Sequence, residues 1–163
     1  MKIDDVEIKW LGHAGFLIKN SSVIYIDPYN IQETNEKADF ILITHSHYDH
    51  CSLADLNKIV KEGTKILMPA DCQSKITKLN VPVKMEIAEP FKEFDFGKIK
   101  ISTIPAYNVD KIFHPKEEGW VGYVLKINDV IIYHAGDTDK IDEMQSLTGY
   151  NHAGKKFIAL LPV

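Results

Sequence analysis

The sequence predicts a mixed α/β protein. Short, continuous apolar runs such as Val23-Ile24-Tyr25-Ile26 are typical of buried strands, and they recur along the chain. A stretch with apolar residues at helical spacing begins at Ser52, which points to at least one helix packed on a sheet. Polar residues stand directly after several of the predicted strands. Loops held by rigid elements are where sites usually form, so these strand ends are the first places to look for function.

The first half of the chain alternates strands with turns. Gly12 and Gly15 interrupt a predicted strand pair, Asn20-Ser21-Ser22 is a turn signal, and Asp27 ends a buried strand. The predicted elements are strands at residues 6–11, 16–18, 23–26 and 40–43, with a polar loop at residues 30–38.

The second half begins with a helix and is then mostly β. Ser52 and Asp55 form a capping-box pattern, and the helical spacing that follows ends at Gly63. Further predictions are a strand at 66–69, a short helix at 71–79, a β region at 81–104 with a turn at Gly97, a hairpin of 120–125 with 130–133, a short helix at 141–147 and a strand at 157–161.

The bulk properties predict one domain, residues 1–163, with 45% hydrophobic residues to build its core. A net charge of −4 argues against a nucleic-acid partner, and no segment has the pattern of a secretory signal or a membrane span. The two cysteines, Cys51 and Cys72, are too few for a disulfide framework and fit a reducing compartment. We therefore expect a cytoplasmic protein without a membrane partner.

The most informative segment is His45-Ser46-His47-Tyr48-Asp49-His50, which follows a predicted buried strand. Imidazole and carboxylate are common protein ligands of zinc, manganese and iron. His45 and His47 can face one ion, and Asp49 and His50 can face a second, as in centres that hold two ions about 3.5–4 Å apart. We refer to residues 45–50 as the histidine loop, and it predicts a divalent metal site with one or two ions.

Four segments together resemble the metallo-β-lactamase-fold hydrolase superfamily, and within it the small ascorbate-6-phosphate-lactonase-like branch. These segments are Leu11-Gly12-His13-Ala14-Gly15-Phe16, Ile26-Asp27-Pro28, Thr44 with the histidine loop, and Tyr133-His134-Ala135-Gly136-Asp137-Thr138. The resemblance covers nearly the whole chain. It implies an αββα sandwich with a metal centre at one edge of its two sheets.

The resemblance also implies roles for individual residues. It assigns His45 and His47 to a first metal, Asp49 and His50 to a second, and Asp137 to a bridge between the two. The first metal needs a third histidine, for which His114 is the candidate, with Asn108 or Asp110 as alternative neighbours of the metal. Zinc is the expected ion, and manganese and iron suit the same donors.

Other polar residues are expected beside the ligands. Asp27 either orients the histidine loop or is a turn residue at a strand end. His13, between two glycines, either supports the ligands, faces the substrate or is structural, and His134 is expected to support the ligands. Cys51 either contacts the metal or is a buried thiol in the turn.

The family pattern continues beyond the last predicted strand, and its later part carries one more histidine for the second metal. In this sequence the chain stops at Val163, and His152 is not well placed to substitute. We therefore expect an incomplete sandwich with a weak second metal position. The chain is interpreted as the truncated form of a longer protein, with a short, oligomerising family member as the alternative.

The resemblance implies that a metal-bound hydroxide hydrolyses a small ester, lactone or phosphoester. Asp49 is the candidate catalytic residue, because a carboxylate there can pass a proton to the leaving group. The expected partner is a small-molecule substrate, and a homo-oligomer is compatible with the sequence. A non-catalytic metal-binding or interaction module with an incomplete dinuclear centre is the alternative function.

Overall fold

The computed structural model describes residues 1–150 and 154–162. The chain forms two units, Met1–Ile87 and Ala88–Val163. The first unit contains a seven-stranded sheet whose strands lie in chain order, β1 to β7. The strands are Lys2–Ile3 (β1), Val6–Gly12 (β2), Gly15–Lys19 (β3), Val23–Ile26 (β4), Phe40–Leu42 (β5), Lys65–Met68 (β6) and Lys84–Ile87 (β7).

The direction of the strands changes within this sheet. Strands β1 to β4 pair antiparallel, whereas β4 to β7 pair parallel. Parallel neighbours require crossover connections, and helix α1, Leu53–Ile59, lies in the connection between β5 and β6. Its buried residues Leu56 and Ile59 pack with Ile41 and Ile66 of the sheet in one apolar cluster.

The Ser52 side chain begins helix α1 by accepting a hydrogen bond from the Asp55 backbone N–H, as the capping pattern predicts. The predicted helix at 71–79 is shorter in the structure. It is a 3₁₀ turn, Ala70–Cys72, followed by a single helical turn, Gln73–Ile76 (α2). Isolated short helices are marginal, so the ends of such a segment are set by packing rather than by its own propensity.

The second unit contains a five-stranded sheet in the order β12-β11-β10-β9-β8. Its strands are Glu93–Asp95 (β8), Ile99–Pro105 (β9), Val121–Ile127 (β10), Val130–His134 (β11) and Lys156–Leu160 (β12). All neighbours are antiparallel except β11 and β12. The predicted hairpin is β10 and β11, and Asn128 in its turn adopts φ +53°.

The short helix predicted at 141–147 is a 3₁₀ helix in the structure. Residues Asp142–Tyr150 are a 3₁₀ helix without buried residues, and a second 3₁₀ turn spans Lys116–Glu118. Met144, Leu147 and Tyr150 pack against a sheet cluster that contains Val124 and Tyr133. The predicted short helix is therefore present, in 3₁₀ form, and its apolar residues contact the sheet.

Candidate metal centre

The histidine loop and Asp27 lie at the same edge of the first sheet. Strands β4 and β5 are parallel neighbours, so their carboxyl ends coincide. Asp27 follows β4 directly, and its backbone N–H donates to the Leu42 carbonyl at the end of β5 (3.0 Å). The strand pairing therefore delivers an acidic side chain from one strand and a cluster of histidines from the next to one place.

The Asp27 carboxylate is fully buried and anchors this edge. Its Oδ1 accepts a hydrogen bond from the Thr44 backbone N–H (2.8 Å), and its Oδ2 lies 2.6 Å from Thr44 Oγ1 and 2.9 Å from His50 Nδ1. Because an ionised carboxylate can only accept, His50 donates through Nδ1. The other nitrogen of a neutral His50, Nε2, is then left with its lone pair, which is the form a metal ion requires.

Thr44 links Asp27 to His45 and thereby sets the tautomer of His45 as well. The Thr44 hydroxyl has one proton, which it donates to Asp27, so it accepts a hydrogen bond from His45 Nδ1 at 2.9 Å. Neutral His45 therefore also has its lone pair on Nε2. One buried carboxylate thus sets the tautomer of His50 directly and that of His45 through Thr44.

His47 completes the first group of donors. His45 Nε2 and His47 Nδ1 are 3.1 Å apart, and the two rings meet edge to face. The backbone of the loop is tight, because the His47 carbonyl accepts hydrogen bonds from the N–H groups of His50 and Cys51. His45 is buried and His47 is half-buried, so one side of this pair is open to solvent.

A second group of donors lies beside the first. His13, in the turn between β2 and β3, places Nε2 3.0 Å from Asp49 Oδ2, and its ring meets that of His50 edge to face. One ligand atom from each of His13, Asp49 and His50 lies within 4.8 Å of the other two. The β2–β3 turn and the histidine loop, which are distant in sequence, therefore bring three ligand atoms together within the first unit.

The second unit brings His114 and Asp137 together, with His114 Nε2 3.9 Å from Asp137 Oδ2. Asp137 follows β11, and the turn that carries it is shaped by a hydrogen bond from the Gly136 N–H to Nδ1 of the buried His134 (3.2 Å). The His114 ring packs edge to face on Trp120. His134 thus supports the Asp137 turn.

Asn108 and Asp110, the alternatives to His114 as neighbours of the metal, have different environments. The Asn108 side-chain amide donates to the Phe113 carbonyl (3.2 Å), and Asp110 is exposed. Cys51 is buried, and a hydrogen bond with the Cys72 thiol lowers its pKa, while that bond and burial raise the pKa of Cys72. His152 lies outside the described residues.

Sequence reasoning missed two contributors to this edge. Thr44 is part of a motif in the sequence, but its role depends on its contacts with His45 and with Asp27, which follows a different strand. Tyr29 was not considered, although its ring lies edge to face against both His13 and Tyr48. Its position directly after Asp27-Pro28 was the only available signal.

Residues 7–153 match the family model of the β-lactamase superfamily domain. The chain belongs to this superfamily. It is 33% identical to a UPF0173 metal-dependent hydrolase of Pyrococcus horikoshii over 97% of this chain and 72% of the relative. A similar protein of Thermococcus kodakarensis is 32% identical over the same shares.

A solved structure, a putative metal-dependent hydrolase from Parabacteroides distasonis, matches with a TM-score of 0.78 and 28% identity. The match covers 86% of this chain and 64% of that protein, so the chain spans less than two thirds of its length. The predicted family and the predicted α/β class of metallo-β-lactamase type are confirmed. No helix among the described residues is long and apolar enough to cross a membrane.

Proposed function

We propose that this chain is a metal-dependent hydrolase that acts on a small ester, lactone or phosphoester. The observation that carries the proposal is the buried Asp27–Thr44 pair, which holds the proton of His45 and of His50 on Nδ1 and so puts the lone pair of each neutral ring on Nε2. A carboxylate that orients histidines in this way is typical of metal sites. The similar proteins of Pyrococcus and Thermococcus bear the name metal-dependent hydrolase, which supports the same class.

The donors fit a divalent ion. Two ligands at about 2.1 Å from one ion are about 3.4 Å apart in a tetrahedral site and about 3.0 Å apart as neighbours in an octahedral site. The pair His45 Nε2 and His47 Nδ1 is separated by 3.1 Å, and the pair His13 Nε2 and Asp49 Oδ2 by 3.0 Å. Both separations match ligand spacing. Nitrogen and oxygen donors without thiolate suit zinc, manganese or iron.

The assignment to ions follows the family pattern. We assign His45, His47 and His114 to one ion, Asp49 and His50 to another, and Asp137 to the bridge between them. Asp137 can bridge because a carboxylate has two oxygens. The short distance from His114 to Asp137 within the second unit supports giving these two residues a shared role.

When bound, such ions lower the pKa of water toward neutrality and polarise a substrate oxygen. The chain's own residues then have three tasks. Asp27 and Thr44 hold His45 and His50 in the binding tautomer. Asp49, which is only partly buried, accepts the proton that the attacking water loses and passes it to the leaving group. The open side beside His47 and Asp49 admits a small substrate.

The test uses purified protein stripped with a chelator and reloaded with zinc, manganese or iron. It is then assayed on a panel of esters, lactones and phosphodiesters. Reloading should restore hydrolysis of at least one class, and His47→Ala and Asp137→Ala should each lower kcat/KM at least about 1,000-fold. Glu62→Ala, at an exposed position far from any site residue in sequence, serves as the control and should leave hydrolysis unchanged.

Two outcomes would contradict the proposal. Hydrolysis that survives both site substitutions would show that the reaction does not use these ligands. Stoichiometric metal with no hydrolysis of any substrate class would select the non-catalytic metal-binding module instead.

A further inference from the structure

His13 stands on a turn that is held in an unusual backbone conformation. Its φ is +50°, in the left-handed region, and the preceding Gly12 has φ +106°. For a residue with a Cβ this conformation is unfavourable by about 1–2 kcal/mol. Such residues persist where the surrounding structure over-determines them, and they cluster at functional sites.

The surroundings of His13 supply that constraint. The Trp10 indole N–H donates to the His13 carbonyl at 2.9 Å, which fixes the turn from the strand side. At Gly15, the last residue of the turn, a Cβ would lie 3.1 Å from the Asp27 carbonyl, so the hairpin packs closely on the backbone that carries Asp27. The imidazole is therefore held at the edge where the histidine loop lies.

The His13 imidazole also has the contacts of a ligand. Its Nε2 is 3.0 Å from Asp49 Oδ2, a spacing that suits two neighbouring ligands of one ion. Its ring centroid is 5.3 Å from that of His50. The burial of the three residues is graded, with His50 buried, Asp49 intermediate and His13 exposed. A site built in this way has a closed back and an open front, as catalytic metal sites require.

We propose that His13 is a further protein ligand of the second metal ion, on which it joins Asp49 and His50. This inference rests on the proposed function, because it concerns one ion of that centre. The sequence-based expectation of a weak second position counted only Asp49 and His50 as local donors. The β2–β3 hairpin supplies a further nitrogen from another segment of the unit.

The competing role for His13 is to orient Asp49 by a hydrogen bond. The two roles need opposite states of the same atom, because Nε2 must carry a proton to donate to Asp49 and must have a lone pair to bind an ion. Substitutions can separate them. In His13→Gln the side-chain amide can still donate to Asp49 but is a poor zinc ligand. In His13→Asn the residue suits the left-handed turn but is too short to replace the imidazole.

The experiment measures metal binding rather than activity. Metal-free wild type, His13→Gln, His13→Asn and the Glu62→Ala control are titrated with zinc alone against a chromophoric chelator, and folding is checked by circular dichroism. Wild type and control should bind two ions. Both His13 variants should keep the first ion and bind the second at least about 100-fold more weakly, since loss of even an orienting partner costs 10–100-fold.

X-ray absorption at the zinc edge, with both sites saturated, gives a second readout. The imidazole signal per ion should fall in both His13 variants and stay unchanged in the control. Retention of wild-type two-ion affinity by His13→Gln would overturn the inference and identify His13 as a positioning residue. Binding of a single ion by wild type would overturn it too. If wild type binds two ions, the His13 variants bind the second ion more weakly as described, and wild type hydrolyses no substrate, the proposed function is contradicted and the ligand assignment stands.

Discussion

Asp27→Asn is the sharpest test of how this edge works, because it exchanges one buried oxygen for an NH₂ group. The Oδ1 atom can still accept from the Thr44 backbone N–H. At the Oδ2 position the new NH₂ faces two groups that donated to the carboxylate, His50 Nδ1 and Thr44 Oγ1. Donors facing donors are unfavourable, so the network must rearrange.

The least costly rearrangement changes both histidines. The new amide donates to His50 Nδ1 and to Thr44 Oγ1, and the Thr44 hydroxyl turns to donate to His45 Nδ1. Both rings then carry their proton on Nε2, where the metal would bind. A single substitution at the end of β4 therefore converts two histidines to the wrong tautomer, although neither is itself changed.

The magnitude follows from the hydrogen bonds that metal binding would break. To restore each Nε2 lone pair, one buried donor must face another, at about 1–3 kcal/mol per site. Because His45 and His50 are assigned to different ions, the affinity for each ion should fall by a factor of about 5 to 160, and the product of the two binding constants by a factor of about 30 to 3 × 10⁴. Stability of the metal-free protein should fall by only about 1–3 kcal/mol, because the rearranged network remains hydrogen-bonded.

The assay combines zinc competition with urea unfolding of the metal-free protein. The matched control is Asp39→Asn. This aspartate also accepts from a backbone N–H, that of Val23 (2.9 Å), and from the Lys61 ammonium, and neither of these donors is a histidine. The control should lose some stability and keep its zinc affinity. Wild-type zinc affinity in Asp27→Asn would refute the tautomer argument.

Two further predictions concern stability. Burial alone would raise the pKa of Asp55, but hydrogen bonds from Ser52, Lys58 and the Asn30 N–H outweigh it and lower that pKa. The Asp55 carboxylate therefore contributes fully to the free energy of unfolding above about pH 4, and this contribution is lost as the pH falls through the lowered folded-state pKa. Asp55→Asn should therefore cost about 2 kcal/mol at pH 7 and progressively less in thermal unfolding below pH 4, and a difference that is constant with pH would contradict this. Gly122→Ala would place a Cβ 2.8 Å from two backbone carbonyl oxygens of the neighbouring strand. This substitution should lower the free energy of unfolding, measured with urea, by about 1–3 kcal/mol. An unchanged urea midpoint would show that the strands separate easily.

Local signals in the sequence accounted for most of the secondary structure. The Ser52 cap, the turn at Gly97 and the β10–β11 hairpin were each predicted from a few neighbouring residues, and the structure has them. A short helix was also predicted near Asp142–Tyr150, but its 3₁₀ form was not, because apolar spacing cannot separate a 3₁₀ helix from an α-helix over so short a segment. Caps, turns and hairpins depend on short stretches of chain, so they can be predicted from the sequence.

The candidate site was predictable only in part, for a physical reason. The histidine loop is visible because its donors are adjacent in sequence. The contact of His13 with Asp49 depends on the placement of the β2–β3 hairpin, and no local pattern encodes it. The tautomers of His45 and His50 are fixed by hydrogen bonds to Thr44 and Asp27, which lie at the ends of two different strands. The sequence thus reveals which metal-ligating residues exist, whereas the folded structure decides which ring nitrogen of each histidine carries the proton.

The distribution of backbone strain supports this division. His13, Asp27 and His114 all have a Cβ and all adopt positive φ, at +50°, +42° and +59°. A glycine at any of these positions would relieve the strain, so folding alone does not favour the residues found there. Each of them instead places an imidazole or a carboxylate beside another donor group. Five other described residues with a Cβ also adopt positive φ, so the conformation by itself does not mark a site; at these three positions it coincides with a side chain that the proposed chemistry needs.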